Sequence, residues 1–198
     1  MGIAIEIGEK APKISAKCYY PQEDKIGQFD LEKMKGKWVI LTFYPGDFTF
    51  VCATDVEAFT SINSEFKKNN AEVYAISTDS IFSHKQWASS SPKVKESKIP
   101  LIEDFRKQIS IEYGFLNRSS GAARRGTVII DPEGRVEYIS MHNDDLGKDA
   151  EHIFNAFMGL KYISEHKGEG SMACKIPANW KPGSKPLIID TEKDIGKI

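Results

Sequence analysis

The 198 residues carry 27 Lys and Arg against 28 Asp and Glu, a net charge of −1 that offers no global positive field to nucleic acid or to an anionic membrane. With 40% hydrophobic and 28% charged residues the composition is globular, and the length suits one domain plus an appended arm, burying roughly 70% of the extended-chain surface. No stretch approaches the ~18 consecutive apolar residues of a membrane span, and "MGIAIEIGEKAP" lacks the basic start and apolar core of a signal peptide, so a cytoplasmic protein is expected.

In chain order, "KWVILTFYP" (37–45) is β-rich and almost continuously apolar, the pattern of a strand covered on both faces. The period then changes: Val56, Phe59, Ile62 and Phe66 recur every three or four residues as one helical stripe, which "KKNN" ends. Two starts fit this helix. Thr54 and Glu57 form a capping box that leaves Cys52 just outside, whereas Thr49 as cap puts Cys52 in the first turn.

"AEVYAIS" (71–77) reads as the next strand, followed after Ser80 by a helix carrying Ile81, Lys85 and Trp87. "KIPLIED" gives a short strand and "FRKQISIEYG" a short helix, with Gly114 suited to its end. "GTVIIDPEGRVEYIS" is a hairpin, since Asp131-Pro132-Glu133-Gly134 has the preferences of a tight turn. "DAEHIFNAFMGLKYI" closes the domain with a helix whose apolar face is Ile153, Ala156, Phe157 and Leu160.

Strands alternating with helices, then a hairpin and a helix, predict an α/β fold with a mixed central sheet flanked by helices, and a thioredoxin-like arrangement fits that order. Residues 1–165 form this domain, and 166–198, rich in Pro and Gly with little periodicity, form an extended C-terminal arm. Gly168-x-Gly170-x-x-Ala173 matches a loose dinucleotide fingerprint, but it follows a helix without a βαβ unit, so nucleotide binding is not expected there.

The three cysteines, at 18, 52 and 174, are odd in number and form no Cys-x-x-Cys pair, which argues against a disulfide framework or a zinc knuckle. In a reducing compartment a disulfide among them is transient and catalytic rather than structural. The histidines, at 84, 142, 152 and 166, never sit three or four apart, so neither a metal site nor a cofactor is expected.

Cys52 is the residue on which the chemistry turns. A lone cysteine is most often a small buried hydrophobe. A free thiol with a pKa of about 8.5 is only a few per cent thiolate at neutral pH, and the thiolate is the nucleophile. A strand-to-helix junction suits an anion, because unpaired amides and the positive end of the helix dipole meet there. Position alone leaves both readings open.

The surroundings decide between them. Pro45-x-x-x-Thr49-x-x-Cys52 resembles the peroxiredoxin signature, and "FYPGDFTFVCATD" looks like the typical two-cysteine group, which includes the bacterial alkyl hydroperoxide reductase peroxidase subunit. "GEKAP", "STDSIFSHKQW", "RGTVIIDPEG" and "CKIPANWKPGSKP" follow in that family's order, so the resemblance spans nearly the whole chain.

The resemblance implies a thiol peroxidase acting on hydrogen peroxide and organic hydroperoxides. Cys52 is then the peroxidatic cysteine, Thr49 hydrogen-bonds peroxide or thiolate, Pro45 walls the pocket against water, and Arg125 is the pocket arginine. Taken without the resemblance, Arg125 reads equally as a surface charge beside Arg124, Thr49 as a turn or capping residue, and Pro45 as a strand terminator. Cys174 resembles the resolving cysteine, which in that group comes from the other subunit, so a homodimer and a decamer of five dimers are implied. Thioredoxin or a flavoprotein disulfide reductase would recycle the disulfide. Cys18 matches neither site and reads as a packing residue, and His84 and Trp87 read as packing and network residues. Where the family usually has Pro and Glu after the cysteine, this chain has Ala53 and Asp55, which alters the hydrogen bonding near the pocket. Rival readings are a Cys–His hydrolase and a holdase chaperone or structural ring.

Overall fold

A computed structural model describes residues 5–166 and 172–197, so Gly168 and Gly170 of the glycine motif lie outside the described residues. The strands are β1 (Ser15–Tyr20), β2 (Lys25–Asp30), β3 (Trp38–Phe43), β4 (Ala71–Ser77), β5 (Leu101–Glu103), β6 (Gly126–Ile130), β7 (Val136–Met141), β8 (Met172–Lys175) and β9 (Leu187–Asp190). The helices are α1 (Phe50–Ser61), α2 (Asn63–Lys68), α3 (Ile81–Ser90), α4 (Pro92–Lys95), α5 (Gln108–Glu112) and α6 (Ala150–Glu165).

β1 to β7 form one mixed sheet in the order β2-β1-β5-β4-β3-β6-β7. β3, β4 and β5 run parallel, with α1–α2 and α3–α4 as the crossovers that parallel pairing demands, and the remaining pairs are antiparallel. The sequence pattern predicted this mixed α/β sheet. Every residue of β3 is buried, as the unbroken apolar run requires of a strand with both faces covered. On one face Val39, Leu41 and Phe43 join Ile76, Val128, Tyr113 and Phe115 in a core where the rings of Phe43 and Phe115 stack 4.3 Å apart. Each such side chain contributes roughly 1.5–3 kcal/mol by leaving water.

The predicted single helix over Val56–Phe66 is two. Ile62 (φ −107°) interrupts it between α1 and α2, and Asn63, the first residue of α2, turns inward to donate to the Lys98 carbonyl at 3.0 Å. The hairpin turn at 131–134 forms as expected, with Gly134 at φ +81° and its amide bonded to the Asp131 carbonyl.

Two compact units divide the chain, Met1–Ala150 and Glu151–Ile198. In the second unit β8 and β9 pair antiparallel with Cys174 opposite Ile188, and Trp180 donates its indole N–H to the Ser184 carbonyl at 2.9 Å. The Tyr162 ring lies 6.1 Å from that of Trp180. Cys174 is buried.

Candidate active site

β3 ends at Phe43, and the chain reverses through Pro45–Thr49 before α1 begins. The reversal is braced from below. The Tyr44 hydroxyl donates to Asp47 at 2.8 Å, the His84 ring nitrogen Nδ1 lies 2.9 Å from the same carboxylate, and the Asp47 amide donates to Asp79 at 2.9 Å. His84 also places Nε2 3.1 Å from the Ile102 carbonyl, and Trp87 lies against Tyr44, so both act as the expected packing and network residues. Burial and the adjacent Asp47 carboxylate hold the Tyr44 phenol well above its ordinary pKa, so it stays a donor. Phe48 takes the left-handed conformation (φ +56°), uncommon outside glycine, which completes the reversal.

Thr49 is the residue that caps α1 by position, so Cys52 falls in the first turn. The Thr54 capping box does not form: Thr54 lies inside the helix and donates to the Val51 carbonyl at 2.7 Å, while Glu57 pairs with Lys93. The Thr49 hydroxyl donates to the Gly46 carbonyl at 2.9 Å, leaving its lone pairs to accept. The amide that Ala53 regains, where proline would have none, bonds the Thr49 carbonyl at 3.4 Å and closes the first helical turn. The first-turn amides that remain unpaired, with the positive end of the α1 dipole, favour negative charge at this point.

Cys52 itself is 1% exposed, and the guanidinium of Arg125 donates to its sulfur, Nη2 to Sγ 3.4 Å. Arg125 is fixed on every side. Nη1 meets Asp55 Oδ2, Nε donates to the Asp144 carbonyl at 2.9 Å, and the Arg125 amide donates to the Asp144 carboxylate at 3.0 Å. Burial opposes the guanidinium charge, but Asp55 and the Cys52 sulfur outweigh it, and the group stays above its ordinary pKa. Arg124, the preceding residue, is exposed.

Asp55 and Lys148 complete the group. The Lys148 ammonium lies 2.8 Å from Asp55 Oδ2, and its amide donates to Asp55 Oδ1, also at 2.8 Å. Burial pushes the Asp55 carboxyl up, but Lys148 and Arg125 outweigh it and hold the acid below its ordinary value. Burial dominates at Lys148 and pulls the amine down despite Asp55.

The structure thus brings Cys52 and Arg125 together, sets Thr49 and half-buried Pro45 on the loop that leads to them, and places Cys174 in the other unit. Reading the sequence did not find Lys148 or Asp144, for "NDDLGKDA" looks like any charged loop. Asp55 was noted as a departure from the family pattern near the pocket, and its three-residue spacing from Cys52 agrees with a place on the sulfur's helical face. Cys18 is fully buried in β1, and burial pushes its thiol up to about 12, which suits packing and not nucleophilic chemistry. Among the described residues no group of three or more His, Cys, Asp or Glu is placed to hold a metal ion, and no helix is long and apolar enough to cross a membrane.

Residues 7–139 match the model of the AhpC/TSA family. The chain is 38% identical over 183 residues to alkyl hydroperoxide reductase C of Amphibacillus xylanus, covering 91% of this chain and 93% of that protein. It is 39% identical over 194 residues to a chloroplastic 2-Cys peroxiredoxin of Arabidopsis thaliana, covering 93% of this chain and 68% of that one. Among solved structures, the reduced 2-Cys peroxiredoxin of Plasmodium vivax superposes with a TM-score of 0.81 at 28% identity, over 91% of both chains.

Proposed function

The chain belongs to the AhpC/TSA family, and from that premise we propose how its residues reduce peroxides. It is a thiol peroxidase with the thioredoxin-like α/β fold of the two-cysteine peroxiredoxins. Cys52 is the peroxidatic cysteine. Its thiolate attacks one peroxide oxygen in line, forming an S–O bond as the O–O bond breaks, and the leaving oxygen takes a proton to become water or an alcohol.

Each neighbour has work suited to its geometry. Arg125 holds a fixed cation beside the charge that passes from sulfur to the leaving oxygen, so nothing must reorganise during the reaction. Thr49, its proton committed to Gly46, accepts from the peroxide O–H. Pro45 walls the entrance. The sulfenic acid then condenses with Cys174 of a second copy, expelling water and forming an intersubunit disulfide. Thiol–disulfide exchange with a flavoprotein disulfide reductase or thioredoxin restores both thiols.

On this reading residues 1–165 are the catalytic domain and 166–198 the arm that carries the resolving cysteine. The protein works as a homodimer, assembled into a decamer of five dimers. Phe50, 95% exposed, with Phe48 and Phe82, 59% and 70% exposed, supports further assembly, since large rings left in water are surfaces that a second copy would cover. A cytoplasmic location suits three free cysteines.

The contact of Arg125 with Cys52 carries the proposal, because it gives the sulfur a partner that cannot act as a base. A hydrolase of the Cys–His kind needs an imidazole there, and His84 is engaged elsewhere. The test is consumption of hydrogen peroxide and cumene hydroperoxide, coupled to NADH through a flavoprotein reductase or to NADPH through thioredoxin. Cys52→Ser should fall to the uncatalysed background, since an alcohol supplies no comparable nucleophile at neutral pH; sustained turnover by this variant would refute the assignment.

A further inference from the structure

β5 begins late: it pairs with Ala75–Ser77 and leaves the first residues of β4 without a strand on that side. β4 bonds β3 through its even-numbered residues, the Trp38 amide donating to the Asn70 carbonyl and the Tyr44 amide to that of Ile76, both at 3.0 Å. The odd-numbered residues therefore face β5. Ala75 is met there, its amide donating to the Pro100 carbonyl at 3.0 Å. The next rung would run from the amide of residue 100 to the Val73 carbonyl, and proline has no N–H to give. In an unbroken ladder the Val73 amide would donate to the Lys98 carbonyl, which instead accepts from Asn63 Nδ2 at 3.0 Å. Among the described residues neither backbone group of Val73 finds a partner, although Val73 is 1% exposed.

A cavity of about 200 Å³ lies at this gap, lined by Asn63 of α2, by Val73 and Pro100, and by Tyr20 and Pro21 from the end of β1 and the turn after it. Asn63 is 3% exposed, and its orientation is fixed by the Lys98 carbonyl, which can only accept and so takes Nδ2. Oδ1 is left buried without a hydrogen-bond partner. Two buried acceptors, Asn63 Oδ1 and the Val73 carbonyl, and one donor, the Val73 amide, thus meet at one cavity, and each costs free energy unless it is satisfied. A carboxamide is the complement, since its NH₂ gives two hydrogen bonds and its carbonyl accepts. The charges at the cavity, Glu23, Lys67, Glu72 and Lys98, sum to zero, which favours a neutral ligand over an ion. The Tyr20 ring and the two prolines suit a flat apolar body. We propose that this cavity is a binding site for a small neutral aromatic carboxamide. Its volume is below the roughly 300–1,000 Å³ of sites for drug-sized ligands, so a single ring and its amide is the fit.

The test is saturation-transfer difference NMR on the full chain, with benzamide as the probe and benzoate and acetophenone as controls that keep the ring but carry no N–H. Benzamide should give a saturable signal with a Kd of about 1 mM or tighter, and each control should bind at least about tenfold more weakly. Two variants place the ligand. Pro100→Ala supplies the amide that the Val73 carbonyl lacks, and Asn63→Leu removes the acceptor Oδ1, so each should weaken benzamide binding by roughly tenfold. No saturable signal, equal affinity for the three probes, or benzamide binding unaltered in either variant would overturn the proposal. If Asn63→Leu does not fold, Pro100→Ala decides, because it adds a hydrogen bond to the sheet instead of removing one. Cys52 takes no part in this site, so the peroxidase reading stands or falls separately on the assay of Cys52→Ser.

Discussion

Arg125 donates to four acceptors, and one of them is sulfur. Asp55, the Asp144 carbonyl and the Asp144 carboxylate fix the guanidinium and its backbone before any substrate arrives, so its charge is preorganised for the reaction. Arg125→Met should slow sulfenate formation by roughly a hundredfold to a thousandfold, the cost of removing a preorganised donor, whereas Arg124→Met should change it less than about twofold. Equal effects at the two positions, measured by stopped flow, would mean that the sulfur is governed by the general charge of this loop. Two adjacent arginines cannot be ranked from spacing alone. Alternation along the segment into β6 buries one and exposes the other, and only the folded register says which. Thr49 was legible as a cap, but the commitment of its proton to Gly46 was not, because that bond depends on the left-handed turn at Phe48.

At the scale of elements, the site is a junction of α1 with β6, and Gly126 sets how closely β6 is packed. A Cβ there would lie 2.2 Å from the Ser140 carbonyl oxygen, a backbone atom of β7, and 2.3 Å from the Phe115 ring, which is fully buried in the core. Gly126→Ala should therefore destabilise the protein by about 1–3 kcal/mol or more, read as a lowered denaturation midpoint, and should also slow the peroxide step, because Arg125 is the preceding residue. An unchanged midpoint would show that the sheet yields here at little cost. β3 and β4 were legible as apolar runs and the segment between them as a helical stripe, although the break at Ile62 was not. The β1–β2 hairpin was not: "SAKCYY" and "KIGQFD" mix charged, aromatic and glycine residues and surround a turn, "PQED", without glycine. The start of α1 was ambiguous for a related reason, since Thr54 and Glu57 satisfy a local capping rule that the extra turn from Phe50 overrides.

At the scale of the whole molecule, the account requires a partner that one chain does not contain. A resemblance to family signatures is what proposed Cys174 as the resolving cysteine, and no periodicity in the arm revealed that it lies in a β8–β9 pair, because four-residue strands are too short to show a period. The most direct measurement is peptide mass mapping of wild type treated with one equivalent of hydrogen peroxide and no reductant, then alkylated and run on a non-reducing gel. The account predicts a dimer band yielding the Cys52 peptide cross-linked to the Cys174 peptide, with Cys18 recovered as free thiol. Oxidation that leaves Cys52 as free thiol, or a dimer joined through Cys18, would contradict it.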